Sequence, residues 1–204
     1  MAKPDVSPTT DTTAQEIKKL ILDKAVERFV RYGFGKTTMV EIAKDCGMSA
    51  GNLYRYFESK FDIGVGVAQL YITRAEEILR EVMQRTDLNP TQRLQAFVME
   101  KLRFMHTHII EQPNVQDLVD YILEERWDLV LAHRDVQNSL MSEILSEGNR
   151  TGDFKVADVV QTANAIYSMT TKFRMPHFIK NVTLEELEQE AIAVVALMIK
   201  GLKG

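Results

Sequence analysis

The sequence is poor in the residues that staple or break a chain. It has one cysteine, Cys46, five prolines and ten glycines among 204 residues. A single thiol cannot close an internal disulfide, so the fold is expected to stand without covalent staples, as suits a reducing cytoplasm. No run of about 18 apolar residues occurs, so no membrane-spanning helix is expected. The opening MAKPDVSPTTDTT has no apolar stretch behind a basic start, and a secretory signal is not expected either. Strand-like alternation is missing, and so is any repeat of roughly 20–50 residues. There is no G-x-S-x-G, no P-loop and no G-x-G-x-x-G. His106 and His108 stand two apart and point to different sides of a helix, while His133 and His177 are isolated, so no metal site and no cofactor are implied. The adjacent pairs Glu124–Glu125 and Glu185–Glu186 read as solvated helix faces.

What is present is ordinary globular composition, 45% hydrophobic and 26% charged, in long segments of helical period. The net charge of -4 is unevenly spread: residues 1–60 carry ten basic and eight acidic groups, and the remainder 15 basic and 21 acidic. A mildly basic head on an acidic body places any polyanion at the head.

Residues 1–13 read as a flexible polar tail. A first helix is expected over about 14–32, with Ile17, Leu20, Ile21, Ala25 and Phe29 on one face; Gly33 stops it and lets Phe34 fold back onto Phe29. Thr38 and Glu41 form a capping box for a short second helix that Gly47 ends. Ser49 caps a third, expected to reach Phe57, and Ser59 a long fourth, to about Arg85. Asn89–Pro90 opens the next helix, which ends before Pro113. Asn114 begins a stretch to about Gly148, broken once between Glu125 and Asp135. A loop is expected over 148–153, a helix over about 156–174, and a last helix from the Thr183/Glu186 capping box to Gly201.

The segment from Thr37 to Lys60, TTMVEIAKDCGMSAGNLYRYFESK, is two short helices around a tight glycine turn, the geometry of a helix-turn-helix. At about 100° per residue, Leu53, Phe57 and Ala50 share the core side of the third helix, and Gly51, Asn52 and Arg55 the opposite side. Asn suits adenine, Arg suits guanine, and Gly permits close approach to the backbone. Tyr54 and Tyr56 flank the core side, and with Lys60 they can reach phosphates from the edges. Taken by shape alone, the same residues are also consistent with the ordinary cores and caps of a helical domain.

The detailed pattern is more specific. Thr37–Thr38 before the second helix, E-I-A within it, C-G-M-S at the turn and G-N-L-Y-R-Y-F followed by Lys60 closely resemble the TetR family of bacterial transcriptional regulators, over roughly Glu16 to Ile63. Ile63 and Asp62 stand where that family often has leucine and glutamate. The resemblance implies an all-α protein. Its N-terminal three-helix helix-turn-helix DNA-binding domain, 14–62, is joined to a C-terminal helical ligand-binding and dimerisation domain, 63–204. It places DNA contacts at Thr37, Thr38, Ala50, Gly51, Asn52, Tyr54, Arg55, Tyr56 and Lys60. It further implies a homodimer on a palindromic double-stranded operator, released by a small-molecule effector, with the dimer face on the last two long helices around Ala157, Val160, Ala163, Ile166, Ile192, Val195 and Ile199. Phe104, His108, Tyr121, Trp127 and Tyr167 are candidate effector contacts, though aromatics on helices also fill cores. Gly64 and Gly66 read as close packing of the fourth helix, with local softness as the alternative. A DNA-binding factor without an effector, or a helical small-molecule enzyme lacking any visible catalytic constellation, are the rival readings.

Overall fold

The computed structural model describes residues 10–204, with side chains from residue 13 onward except those of Pro176 and His177. Residues 1–9 of the expected tail lie outside the described residues. Ten α-helices follow one another, and no strand occurs among the described residues. They are α1 (Thr10–Tyr32), α2 (Met39–Asp45), α3 (Ala50–Leu53), α4 (Lys60–Gln84), α5 (Pro90–Met105), α6 (Gln116–Glu125), α7 (Trp127–Thr151), α8 (Val159–Met169), α9 (Pro176–Ile179) and α10 (Leu184–Lys203). By contact the chain divides into two compact units, residues 1–70 with 114–125 and residues 71–113 with 126–204.

The first unit is the head. Ile21, Ala25 and Phe29 of α1 are buried, together with Ile42, Leu53, Ile63 and Val67 from α2 to α4, while Ile17 is half-buried and Leu20, expected on the same face, is exposed. Gly33 takes φ 93°, a left-handed conformation in which only glycine is free of Cβ strain. The chain then reverses so that Phe34 meets Phe29 edge-on, ring centroids 5.2 Å apart. α6 belongs to this unit: Leu118 and Ile122 are buried, and Tyr121 stacks on Phe34 at 5.7 Å. Asn114 Nδ2, just before α6, donates to the Val30 and Arg31 carbonyls at 3.0 and 3.1 Å. It thereby satisfies acceptors that the end of α1 would otherwise leave bare. Gly64 and Gly66 sit where neighbours press on α4. A Cβ at Gly64 would lie 2.8 Å from the Phe34 ring and 3.0 Å from Leu118, and one at Gly66 2.7 Å from the tip of Leu22. Packing calls for the glycine at 64, whereas at 66 the contact is with the flexible end of Leu22 alone.

The second unit is a helical body. Leu79 and Val82 of α4, Leu94 and Phe97 of α5, Leu140, Ile144 and Leu145 of α7, Ala163 and Ile166 of α8, and Val195 and Met198 of α10 form one apolar cluster. A smaller one joins Leu102, Phe173, Ile179, Leu187 and Ala191. The Asn89 and Thr183 capping boxes are both formed.

Four boundaries differ from expectation. α1 already includes residues 10–13, which had been assigned to the tail. The regular part of α3 ends at Leu53, although N–H groups of Tyr54, Arg55, Tyr56 and Phe57 continue in hydrogen-bonded turns. The expected loop over 148–153 is mostly helix: α7 reaches Thr151 and stops at Gly152, φ 84°. Gly148 reads as a breaker but is there for close approach, since its Cβ would collide with the Phe154 ring at 2.0 Å. The helix expected to reach Arg174 ends at Met169 and tightens into a 3-10 turn over Thr171–Arg174. The break left open between Glu125 and Asp135 falls at Arg126.

Candidate functional site

The helix-turn-helix is assembled from the capping residues upward. The Thr38 hydroxyl accepts from the Glu41 N–H at 3.3 Å, and the Glu41 carboxylate accepts from the Thr38 N–H at 2.9 Å, closing the capping box of α2. The Thr38 hydroxyl, which also donates to the Glu41 carboxylate at 2.8 Å, and then the Thr38 N–H hold that carboxyl below its usual range. Gly47, φ 68°, makes the turn, and the Ser49 hydroxyl accepts from the Asn52 N–H at 3.2 Å to start α3. Leu53 is completely buried and anchors α3 from beneath. Gly51 and Arg55 are exposed, Tyr54 is 52% exposed, and Ala50, Asn52, Tyr56 and Phe57 are half-buried. The outer side of α3 and its following turns thus offers an amide, a guanidinium and bare backbone, with the exposed Tyr54 and half-buried Tyr56 phenols at its edges. Asn52 Nδ2 lies 3.9 Å from the Met48 sulfur, a weak partner that leaves the amide available.

Three of the nine expected contacts are otherwise engaged, Thr38 in its capping box and two more. Thr37 is 2% exposed and its hydroxyl donates to the Gly33 carbonyl at 2.8 Å, so its side chain holds the turn together. Lys60 does not project freely. Its ammonium donates to the Phe34 carbonyl at 2.9 Å and lies 4.6 Å from the centre of the Phe34 ring. An Arg28 clamp escaped the sequence reading. Arg28 Nε donates to Asp45 at 2.6 Å, its guanidinium lies 3.3 Å from Glu41, and it covers the Tyr32 ring at 5.0 Å. It ties α1 to α2 and lowers the Asp45 carboxyl. Burial raises the Cys46 thiol, which makes it a poor nucleophile.

The five candidate effector contacts do not converge. Phe104 and His108 stack on each other, 4.3 Å between centroids, at the junction of α5 with a π-helical turn over His106–Ile110. Tyr121 lies in the head unit against Phe34 and Phe61. Trp127 is half-exposed at the start of α7. Tyr167 alone of the five lines the cleft of the body, between α5, α7 and α8. That cleft encloses room for little more than one water-sized body. Phe97, Leu102, Met141 and Phe173 form much of its apolar wall; Lys101, Gln137, Asn138, Tyr167, Thr170 and Arg174 are its polar members. Lys101 and Arg174 were missed, yet both stand at helical spacing with the apolar residues Phe97, Val98, Ala163 and Ile166, and a cation on an apolar face was the available signal. Among the described residues no group of three or more His, Cys, Asp or Glu side chains can hold a metal ion, and no helix is long and apolar enough to cross a membrane.

An all-α chain with a capped helix-turn-helix in its head is a DNA-binding transcriptional regulator by architecture. Residues 21–63 match the model of bacterial regulatory proteins of the tetR family, and residues 90–195 that of the tetracyclin repressor-like C-terminal domain. The chain belongs to the TetR family. The HTH-type transcriptional repressor KstR2 of Mycobacterium tuberculosis is 24% identical over 66% of this chain and 68% of its own length. A fatty acid metabolism regulator protein of Bacillus subtilis is 23% identical over 89% of this chain and 93% of its own. Among solved structures, a transcriptional regulator from Cytophaga hutchinsonii superimposes with TM-score 0.74 at 20% identity, covering 91% of this chain and 98% of that one.

Proposed function

We propose that this chain is a one-component repressor that binds a palindromic operator as a homodimer and is released by a small-molecule effector. The observation that carries the reading is the recognition surface. Gly51, Asn52, Tyr54, Arg55 and Tyr56 turn outward on a helix pinned by buried Leu53 and capped by Ser49. In this reading Asn52 and Arg55 meet base edges. Ala50, Gly51, Tyr54, Tyr56 and Thr38 approach phosphates, Lys60 adds positive charge beside them, and Thr37 supports the turn from within. The head is taken as residues 14–62 and the receiving and dimerising domain as 63–204.

One recognition helix covers too little DNA for useful specificity, whereas two helices about 34–36 Å apart meet successive half-sites on one side of the duplex. The outer sides of α8 and α10 supply an apolar surface for such pairing. Val160 is 64% and Leu197 66% exposed, with Ile192, Ala165, Ala193 and Ala196 also open. Ala163, Ile166 and Val195, expected on the dimer face from the resemblance, are instead buried in the protomer's own core. The body cleft is the effector site, and the protein acts by binding rather than turnover in the cytoplasm. The relatives named as repressors support repression. Selection from random DNA tests the reading: a palindrome should be recovered, bound by a species of twice 23.3 kDa. Recovery of no common sequence would sink it.

A further inference from the structure

The cleft between α5, α7 and α8 brings two cations to one aromatic ring, with no aspartate or glutamate among its described lining residues. The Arg174 guanidinium lies 3.6 Å from the centre of the Tyr167 ring, and the Lys101 ammonium 5.4 Å from the same ring. Arg174 donates to the Tyr167 hydroxyl at 2.8 Å, the Thr171 hydroxyl at 2.8 Å and the Tyr167 carbonyl at 3.2 Å, so none of these acceptors carries charge. Arg174 Nε is buried without a hydrogen-bond partner, and so is Asn138 Oδ1. Burial, and then the neighbouring Arg174, hold the Lys101 ammonium well below the ordinary lysine range; burial likewise lowers Arg174. Both cations are half-buried; cations partly withdrawn from water without a counter-charge are costly, and a fold keeps them more readily where a ligand neutralises them.

We propose that this cleft binds a small organic acid, an apolar body carrying one anionic group, with Arg174 and Lys101 as its charge partners. The proposal rests on the body being the effector-receiving unit and names the chemistry of what it receives. A planar guanidinium with an open N–H suits a carboxylate or another oxyanion. Because Tyr167 accepts from Arg174, its own hydroxyl hydrogen is free for the same anion. Phe97, Leu102, Met141 and Phe173 supply the apolar wall against which the rest of the molecule lies. The unpartnered Asn138 Oδ1 can accept from a hydroxyl or amide N–H on that body. Room inside the unliganded cleft is little more than one water-sized body, so entry displaces side chains, and flexible Met141 is suited to yield.

The test uses the purified full chain, isothermal calorimetry, and two probes of matched shape, 4-phenylbutyrate and 4-phenylbutanol. The acid should bind about tenfold tighter than the alcohol or better, the step expected of a charge-assisted contact. Arg174→Gln and Lys101→Met should each shrink that preference, and Arg174→Lys should retain much of it. Equal affinity for acid and alcohol in the parent chain overturns the proposal without recourse to any variant. Absence of acid binding at millimolar concentration overturns it as well, as does a preference that survives both neutral substitutions. DNA affinity measured with each probe separates this from the regulatory reading. Selective acid binding with unchanged DNA affinity leaves the acid site standing and removes release by occupancy of this cleft. Release by the alcohol as readily as by the acid does the reverse.

Discussion

The Lys60 ammonium is bound to Phe34 twice over, donating to its carbonyl at 2.9 Å and lying 4.6 Å from the centre of its ring. A residue expected to face phosphate is therefore also a strut across the turn that follows α1. Lys60→Ala should lower the stability of the head by about 1–2 kcal/mol, from a charged hydrogen bond and a partly exposed cation–π contact. It should weaken binding to all DNA sequences alike. Thermal denaturation and salt-dependent titration with specific and random duplexes read the two effects separately. Unchanged stability would return Lys60 to a purely phosphate-facing role.

Asn52 and Arg55 lie on the outward side of α3 and its following turn, opposite buried Leu53. Replacing either with alanine should relax preference at one or two base positions, at about 1–3 kcal/mol per lost bidentate contact. Selection from random DNA with each variant checks this. An unaltered base profile in both would move base reading to another surface.

The two glycines of α4 should respond unequally to alanine. At Gly64 the new methyl meets the Phe34 ring and Leu118, both locked in the buried aromatic packing of the head. Overpacking there should cost about 1–3 kcal/mol. At Gly66 it meets only the end of a Leu22 side chain, which can rotate, and the gain in helix propensity of up to about 1 kcal/mol offsets the contact. Chemical denaturation should rank Gly64→Ala well below Gly66→Ala. Equal midpoints would contradict the packing account.

Leu197, 66% exposed amid Ile192, Ala193 and Ala196 on α10, should lie within the dimer interface. Leu197→Glu places a charge there twice, once per protomer, and should weaken association by about 2 kcal/mol or more per copy. Sedimentation should show a monomer at concentrations where the parent is dimeric, with helix content retained. A persistent dimer would move the interface elsewhere.

The fold was legible where the chain signals locally. Thr38, Ser49, Asn89 and Thr183 mark helix starts by their own hydroxyl or amide, and each cap forms. The orientation of α3 was legible for the same reason, since buried Leu53 fixes which side of it turns away from the core. What stayed hidden depends on partners distant in sequence. Gly148 looks like a breaker until Phe154 is seen against it, and Tyr121 looks like a body residue until α6 is seen packed on Phe34. Lys60 and Thr37 read as surface groups because nothing local announces the carbonyls of Phe34 and Gly33 that they bond.

Arg28 and Asp45 give the head a dependence on acid. The Asp45 carboxyl is held below its ordinary value, first by its hydrogen bond from Arg28, and burial opposes this only in part. A carboxyl lowered in the folded state contributes stability that is fully present above its unfolded value, near 4, and is lost as pH falls through the lowered folded one. The Asp45 side chain is 35% exposed, so solvent screening keeps the contribution to no more than about 1 kcal/mol. Asp45→Asn should be less stable than the parent at pH 7 by about that amount, and the gap should close as pH falls from about 5 to about 3. Other carboxylates titrate over the same range, Glu41 among them, but they do so in both proteins and cancel to first order in the difference. Denaturation midpoints of the pair at several pH values give the result directly. A gap that stays constant into acid would mean that Arg28 and Asp45 touch without contributing, and that the junction of α1 with α2 does not depend on this pair.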